Sequence, residues 1–269
     1  MPRPVLTVIA GPNGSGKSTL IEYLMRQGVD FGTYINADDI AREQNLVGEA
    51  GALQAQQMAD DWREQCLLDG KSFSFETVMS HESKVKFMAR AKTAGFTTQL
   101  YFVATGNPNV NVGRVRTRVA SGGHDVPEDR IVARYHRTIG LLPRALLASD
   151  RAVVFDNSNA LEHNQTLNLK PVFETTHLRD NLIIRPLPPV PIWSIQALNF
   201  ADLGYACSKI SNKTGQLQFL LKPTGDSSIV RMRVVDAAFH NDMTIAINAD
   251  GLGNAIDMNI SWPATRQQH

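Results

Sequence analysis

The residues best equipped for chemistry stand near the amino terminus. Positions 11–19 read Gly11-Pro12-Asn13-Gly14-Ser15-Gly16-Lys17-Ser18-Thr19 and follow the apolar run Val5-Leu6-Thr7-Val8-Ile9-Ala10. This is a complete G-x-x-x-x-G-K-[ST] loop in a strand-to-helix setting. Its glycines let the backbone curl and aim N–H groups at phosphate oxygens. Lys17 adds a positive charge, and the Ser18 hydroxyl is placed to hold Mg²⁺. The helix expected to follow turns its positive end toward the anion. The implied ligand is a nucleoside triphosphate such as ATP.

A cradle binds phosphate but does not define a reaction. Phosphoryl transfer also needs a group to receive the acceptor's proton and positive charge around the moving phosphate. Asn36-Ala37-Asp38-Asp39 follows a second short strand, Thr33–Asn36. Ligands of a parallel sheet sit beyond the carboxyl ends of its strands, which puts Asp38 where a general base belongs. Asp39 reads as a helix cap or a supporting residue. Phe75-Glu76-Thr77 ends a third strand, and a Glu after Ser-Phe-Ser-Phe suggests a polar cleft. Glu76 can grip acceptor hydroxyls or a water on Mg²⁺, and Thr77 can add a hydroxyl contact. Arg114 and Arg118 share one helix face, and Arg130, Arg134 and Arg137 share another. Between them lies Ser121-Gly122-Gly123-His124 and then Asp125-Val126-Pro127-Glu128, a helix start. The pair reads as a helical lid that closes guanidinium groups over a triphosphate, with His124 ordering the turn. Asp156-Asn157-Ser158 reads as a turn after the last strand, with contact to a nucleotide base as its alternative.

The elements that must position these residues alternate along the chain. Strands are expected at 4–10, 33–36, 72–75, 97–104 and 152–155, and helices at 17–27, 50–69, 81–94, 114–120 and 128–140. That order predicts an α/β domain over 1–185, a P-loop NTPase-type parallel sheet with helices on both faces. A stiff spacer containing Pro186, Pro188, Pro189 and Pro191 covers 186–194. Strand-like runs at 217–221, 228–235, 243–247 and 256–261 make 195–269 a small β-rich appendage.

Composition narrows the class. The chain has 269 residues, 43% of them hydrophobic, with a net charge of +1. No global field attracts a membrane or an extended nucleic acid, so anion binding must be local. Cys66 and Cys207 are far apart and in no metal spacing, which suits a reduced, cytoplasmic chain. No stretch has the length of a membrane span.

Together these segments resemble the zeta toxin family of P-loop kinases, in particular its short zeta-like ATPase branch. The likeness spans about residues 3–193 and rests on the phosphate loop, Ile-Asn-Ala-Asp-Asp-Ile-Ala, Phe-Glu-Thr, the phrase Arg-Val-Ala-Ser-Gly-Gly-His-Asp-Val-Pro-Glu with Arg134-Tyr135, and Asp-Asn-Ser at 156–158. The resemblance implies ATP- and Mg²⁺-dependent phosphorylation of a small acceptor, in the toxins a hydroxyl of a UDP-amino sugar. It also implies an antitoxin-like partner that blocks the nucleotide site. Carried onto this chain, Lys17 and Ser18 hold phosphate and metal, Asp38 is the base, Glu76 and Thr77 line the acceptor site, and Arg118 and Arg134 serve the lid. The residues themselves leave two other readings open: a polynucleotide or nucleoside kinase, and a non-catalytic ATP-binding module whose tail recruits a partner.

Overall fold

The computed structural model describes residues 2–122, 126–158, 169–178, 181–187, 191, 193–194 and 197–198, and the strand segments 205–211, 217–223, 230–235, 242–249 and 255–261. The chain forms two compact units, Met1–Val172 with Pro189–Ala197, and Phe173–Pro188 with Leu198–His269. The division does not fall at the proline-rich run. Trp193 explains why: it is buried, and its indole N–H donates to Asp156 at 2.8 Å within the first unit.

The first unit is built on strands β1 (Val5–Ala10), β2 (Thr33–Ile35), β3 (Phe73–Thr77), β4 (Thr97–Ala104) and β5 (Arg151–Asp156). They lie in the order β2-β3-β1-β4-β5, and each pairs with its neighbour in parallel. Register divides their side chains between two faces. Val8 lies across from Phe75 and Leu100, and Leu100 from Ala152. On that face Phe73 meets Phe87 and Phe96 edge-on, at 6.1 and 5.9 Å between ring centroids. Ile9 lies across from Tyr101 on the other face, where Ile9, Val103 and Phe155 pack with Leu20, Ile21 and Leu24. Those leucines and Ile21 belong to helix α1 (Lys17–Arg26), whose apolar spacing of three to four residues faces the sheet. Burying each such side chain contributes roughly 1.5–3 kcal/mol, so the strand ends are rigid platforms.

Helix α2 (Ala37–Glu43) follows β2, and α3 (Gly48–Leu68) and α4 (Glu82–Thr93) flank β3. Arg63 of α3 is buried with its guanidinium 4.9 Å from the Phe75 ring centroid. Asp60 joins it to Lys84 of α4, at 2.5 and 2.6 Å. Among the described helices none is long and apolar enough to cross a membrane.

Two helices are longer than the sequence pattern suggests. Helix α5 runs Pro108–Ala120 rather than from 114, because Asn107 caps it by accepting from the Asn109 N–H and Pro108 fits the first turn. Helix α6 runs Glu128–Ala148 rather than stopping at 140, and it continues through Pro143. An interior proline costs about 3 kcal/mol. Here Leu142, Ala145 and Leu146 are completely buried around it, and that packing outweighs the lost hydrogen bond. Residues 123–125, including His124 and the expected Asp125 cap, lie outside the described residues.

Strands β6 (Lys170–Leu178), β7 (Asn181–Pro186) and β8 (Tyr205–Ser211) were not expected. In the second unit β6 and β7 form an antiparallel hairpin, β7 pairs with β9 (Leu217–Pro223), and β9 pairs with β8. A three-stranded antiparallel sheet is made by β10 (Val230–Val235), β11 (Asp242–Ala249) and β12 (Ala255–Ser261).

Asp150 ties α6's exit to β4. Its carboxylate accepts from the Thr98 N–H at 2.8 Å and the Thr98 hydroxyl at 3.0 Å, and Lys92 lies 3.1 Å away. Burial pushes this carboxyl up, but Thr98 and Lys92 outweigh it and hold the group below the ordinary Asp value of 3.8. Asp150→Ala is expected to cost about 1–3 kcal/mol in denaturant unfolding. The contribution should be present above the ordinary Asp value and fade as pH falls through the lowered one.

Candidate functional site

The loop after β1 is braced on several sides. The Gly11 N–H donates to the Thr77 carbonyl at 3.2 Å, tying the loop's start to the end of β3. Gly14 and Gly16 have φ of 73° and 97°, in the left-handed region that favours glycine. A Cβ on Gly14 would lie 2.6 Å from the Asn111 carbonyl oxygen, and one on Gly16 would lie 2.4 Å from Asn157 Nδ2. Both asparagines hold loop carbonyls. Asn111 Nδ2 donates to the Asn13 oxygen at 2.6 Å, and Asn157 Nδ2 donates to the Ser15 oxygen at 2.8 Å.

The loop fits a polyphosphate. Ser15 Oγ is buried without a protein partner, and a phosphate oxygen would supply one. The amino end of α1 begins at Lys17, so its unbonded N–H groups and positive dipole end lie beside the loop. Pro12 and Lys17 are buried, whereas Ser18 is exposed in the first helical turn, where a hydroxyl can meet a hydrated cation. Thr19 is half-buried.

Charged groups from three other elements act on Lys17. Its Nζ donates to the Pro12 carbonyl at 3.2 Å and lies 3.7 Å from Glu76 Oε1. Burial pulls the Lys17 ammonium below the ordinary lysine value; Glu76 and Asp38 oppose this, and Arg118 reinforces it. Lys17 of α1, Glu76 of β3, Asp38 of α2 and Arg118 of α5 therefore share one electrostatic field.

Asp38 is exposed in the first turn of α2, and its N–H is received by Asn36 Oδ1 at 2.8 Å. Asn36, not an aspartate, is thus the cap. Asp39 turns aside to Arg42, 3.0 Å away, one helical turn on. Thr77 orders its own turn: Oγ1 accepts from the Met79 N–H at 3.0 Å, and Met79 sits at φ 54°. Tyr34 escaped the sequence reading. Its hydroxyl accepts from Asn36 Nδ2 at 3.2 Å, and burial, then the charge of Glu76, pushes its pKa up to about 12.

The arginines divide by environment. Arg118 is exposed, within the field of Lys17. Arg114 is half-buried; burial pulls it down and Asp156 opposes that. Arg134 is half-buried, whereas Arg130 and Arg137 are exposed. Arg116 pairs with Glu128 at 2.5 Å and joins α5 to α6.

Asp156-Asn157-Ser158 is more than a turn. Asp156 accepts from Trp193 and from the Ser158 hydroxyl, Asn157 grips the loop, and Ser158 Oγ accepts from the Gly106 N–H at 2.8 Å. The local signal for Asn157 was the Asp-Asn-Ser triplet. Asn111 gave no signal beyond a polar residue among valines, because its partner lies 98 positions away.

The β2-β3-β1-β4-β5 sheet, with its glycine loop between β1 and α1, defines a P-loop nucleotide-binding fold of the kinase type. The zeta toxin family model matches residues 1–165; the chain belongs to the zeta toxin family and is a P-loop kinase. An uncharacterized protein of Haemophilus influenzae is 32% identical over 126 residues, 46% of this chain and 88% of its own. Among solved structures, the AvrRxo1-ORF1:-ORF2 complex shares the fold with a TM-score of 0.52, at 14% identity over 75% of this chain and 66% of that one. The PezAT toxin-antitoxin system of Streptococcus pneumoniae aligns with a TM-score of 0.49, at 16% identity over 65% of this chain and 72% of that one.

Gly14→Ala must fit against the Asn111 backbone in a strained conformation. It is expected to cost about 1–3 kcal/mol of stability and about tenfold or more in triphosphate affinity, checked by thermal melting and calorimetric titration with ATP.

Proposed function

We propose that the chain transfers the γ-phosphate of ATP, with Mg²⁺, to a hydroxyl of a small acceptor. The observation that carries this reading is Lys17 Nζ beside the phosphate loop, 3.7 Å from Glu76 Oε1 and within the fields of Asp38 and Arg118. The loop amides and Lys17 hold the phosphates, and Ser18 offers its hydroxyl to the metal, which supplies charge neutralisation when bound. Asp38, exposed at the carboxyl side of β2, accepts the acceptor's hydroxyl proton. The freed oxygen bonds to the γ-phosphorus as the bond to the bridging oxygen breaks, leaving ADP. Glu76, held by Lys17, orients the acceptor together with Thr77. Arg118 and Arg134 place guanidinium forks on the transferring group.

Membership in the zeta toxin family supports two finer assignments. The acceptor is a UDP-amino sugar, and a partner protein of antitoxin type covers the nucleotide site. Labelled ATP incubated with UDP-sugars, nucleosides and oligonucleotide ends tests the first. Label on a UDP-amino sugar supports the assignment; label on nucleic-acid ends alone overturns it.

Asp38→Asn is expected to lower kcat by about 10²–10⁴ while ATP affinity stays near wild type. Unchanged turnover would remove Asp38 from the role of base. Lys17→Ala should weaken ATP binding itself, which direct titration measures separately from turnover.

A further inference from the structure

We infer that Asn111 and Asn157 are positioning residues that aim the phosphate loop's N–H groups, and that Asn111 is itself set by a relay from α6 through Tyr135 and Thr105. This inference rests on the reading of the loop as a triphosphate site.

The peptide plane couples each carbonyl to the next amide. In a trans peptide the C=O and the following N–H point in opposite directions. Asn111 draws the Asn13 carbonyl to one side, so the Gly14 N–H is sent to the other. Asn157 does the same to the Ser15 carbonyl, and therefore to the Gly16 N–H. Alternate carbonyls anchored outward leave alternate amides converging, which is the construction of an anion nest. The left-handed Gly14 and Gly16 are the residues whose amides are so directed.

Asn111 does not stand alone. It is completely buried, and the Thr105 hydroxyl lies within hydrogen-bonding distance of its Oδ1. The Thr105 carbonyl accepts from the Tyr135 hydroxyl at 2.5 Å. Thr105 is also completely buried, and Tyr135 nearly so. A buried polar chain fixes geometry when each member is satisfied and costs stability when one is removed. This chain runs from α6, beside Arg134, to the loop. It gives the arginine helix and the phosphate cradle a common reference.

The test is titration of the full chain with Mg²⁺-ATP and with inorganic tripolyphosphate, alongside thermal melts. Asn111→Ala and Asn157→Ala are expected to raise Kd for both ligands about tenfold, and Thr105→Val about threefold. Thr105→Ser, which keeps the hydroxyl, should restore wild-type affinity. Thr105→Val should add nothing in the Asn111→Ala background. If Asn111→Ala does not fold, the Thr105 pair still decides. Affinities within twofold of wild type in folded asparagine variants overturn the inference, as does a Thr105→Ser protein as weak as Thr105→Val. A wild-type chain that binds neither ligand overturns the triphosphate reading and this inference with it.

Discussion

The site depends on keeping an ammonium group out of water. Lys17 is buried at the amino end of α1, where the helix dipole is itself unfavourable to a cation. An isolated buried charge is costly, so its surroundings must supply compensation. The Pro12 carbonyl and Glu76 do so directly, with Asp38 adding its field. That requirement fixes much of the architecture. Strand β3 must end beside β1 to deliver Glu76, and α2 must start at the end of β2 to deliver Asp38. The Arg63 guanidinium over the Phe75 ring, with Asp60 linking Arg63 to Lys84, braces β3.

The loop and the central strands were legible because their signals are local. Leu6–Ala10 is an uninterrupted buried run, and the glycine spacing beyond it has few other uses. Asp38, Glu76 and Arg118 could be proposed from their places at strand and helix ends. Asn111 could not, and Asn157 was marked only as part of a turn or base-contacting triplet, because the bonds that tie both to the loop cross the fold. The extension of α6 past Pro143 was hidden for a related reason: proline is read as a local stop, while the burial that overrides it is tertiary. The β6–β7 hairpin was missed because Lys170, Glu174 and His177 interrupt its apolar character.

The arginine helices are less detached from the body than a hinged cover would be. Only the first part of α6 carries Arg130, Arg134 and Arg137. Beyond it Leu142, Ala145 and Leu146 are wholly enclosed. In between, the Thr138 hydroxyl lies 2.9 Å from the Val78 carbonyl and 2.7 Å from that of Arg134. Val78 immediately follows the Glu76-Thr77 pair. One helix thus touches the backbone just past the end of β3 and, through Tyr135, the wall of the phosphate loop.

The first unit is discontinuous along the chain. After β5 the polypeptide leaves for the β6–β7 hairpin and returns with Pro189–Ala197, bringing Trp193 back to Asp156. A truncation at residue 165, where the family match ends, would sever that return. Asp156, next to the loop-holding Asn157, would lose its indole donor. Excision of a minimal enzyme therefore needs the later segment spliced back on, not a single cut.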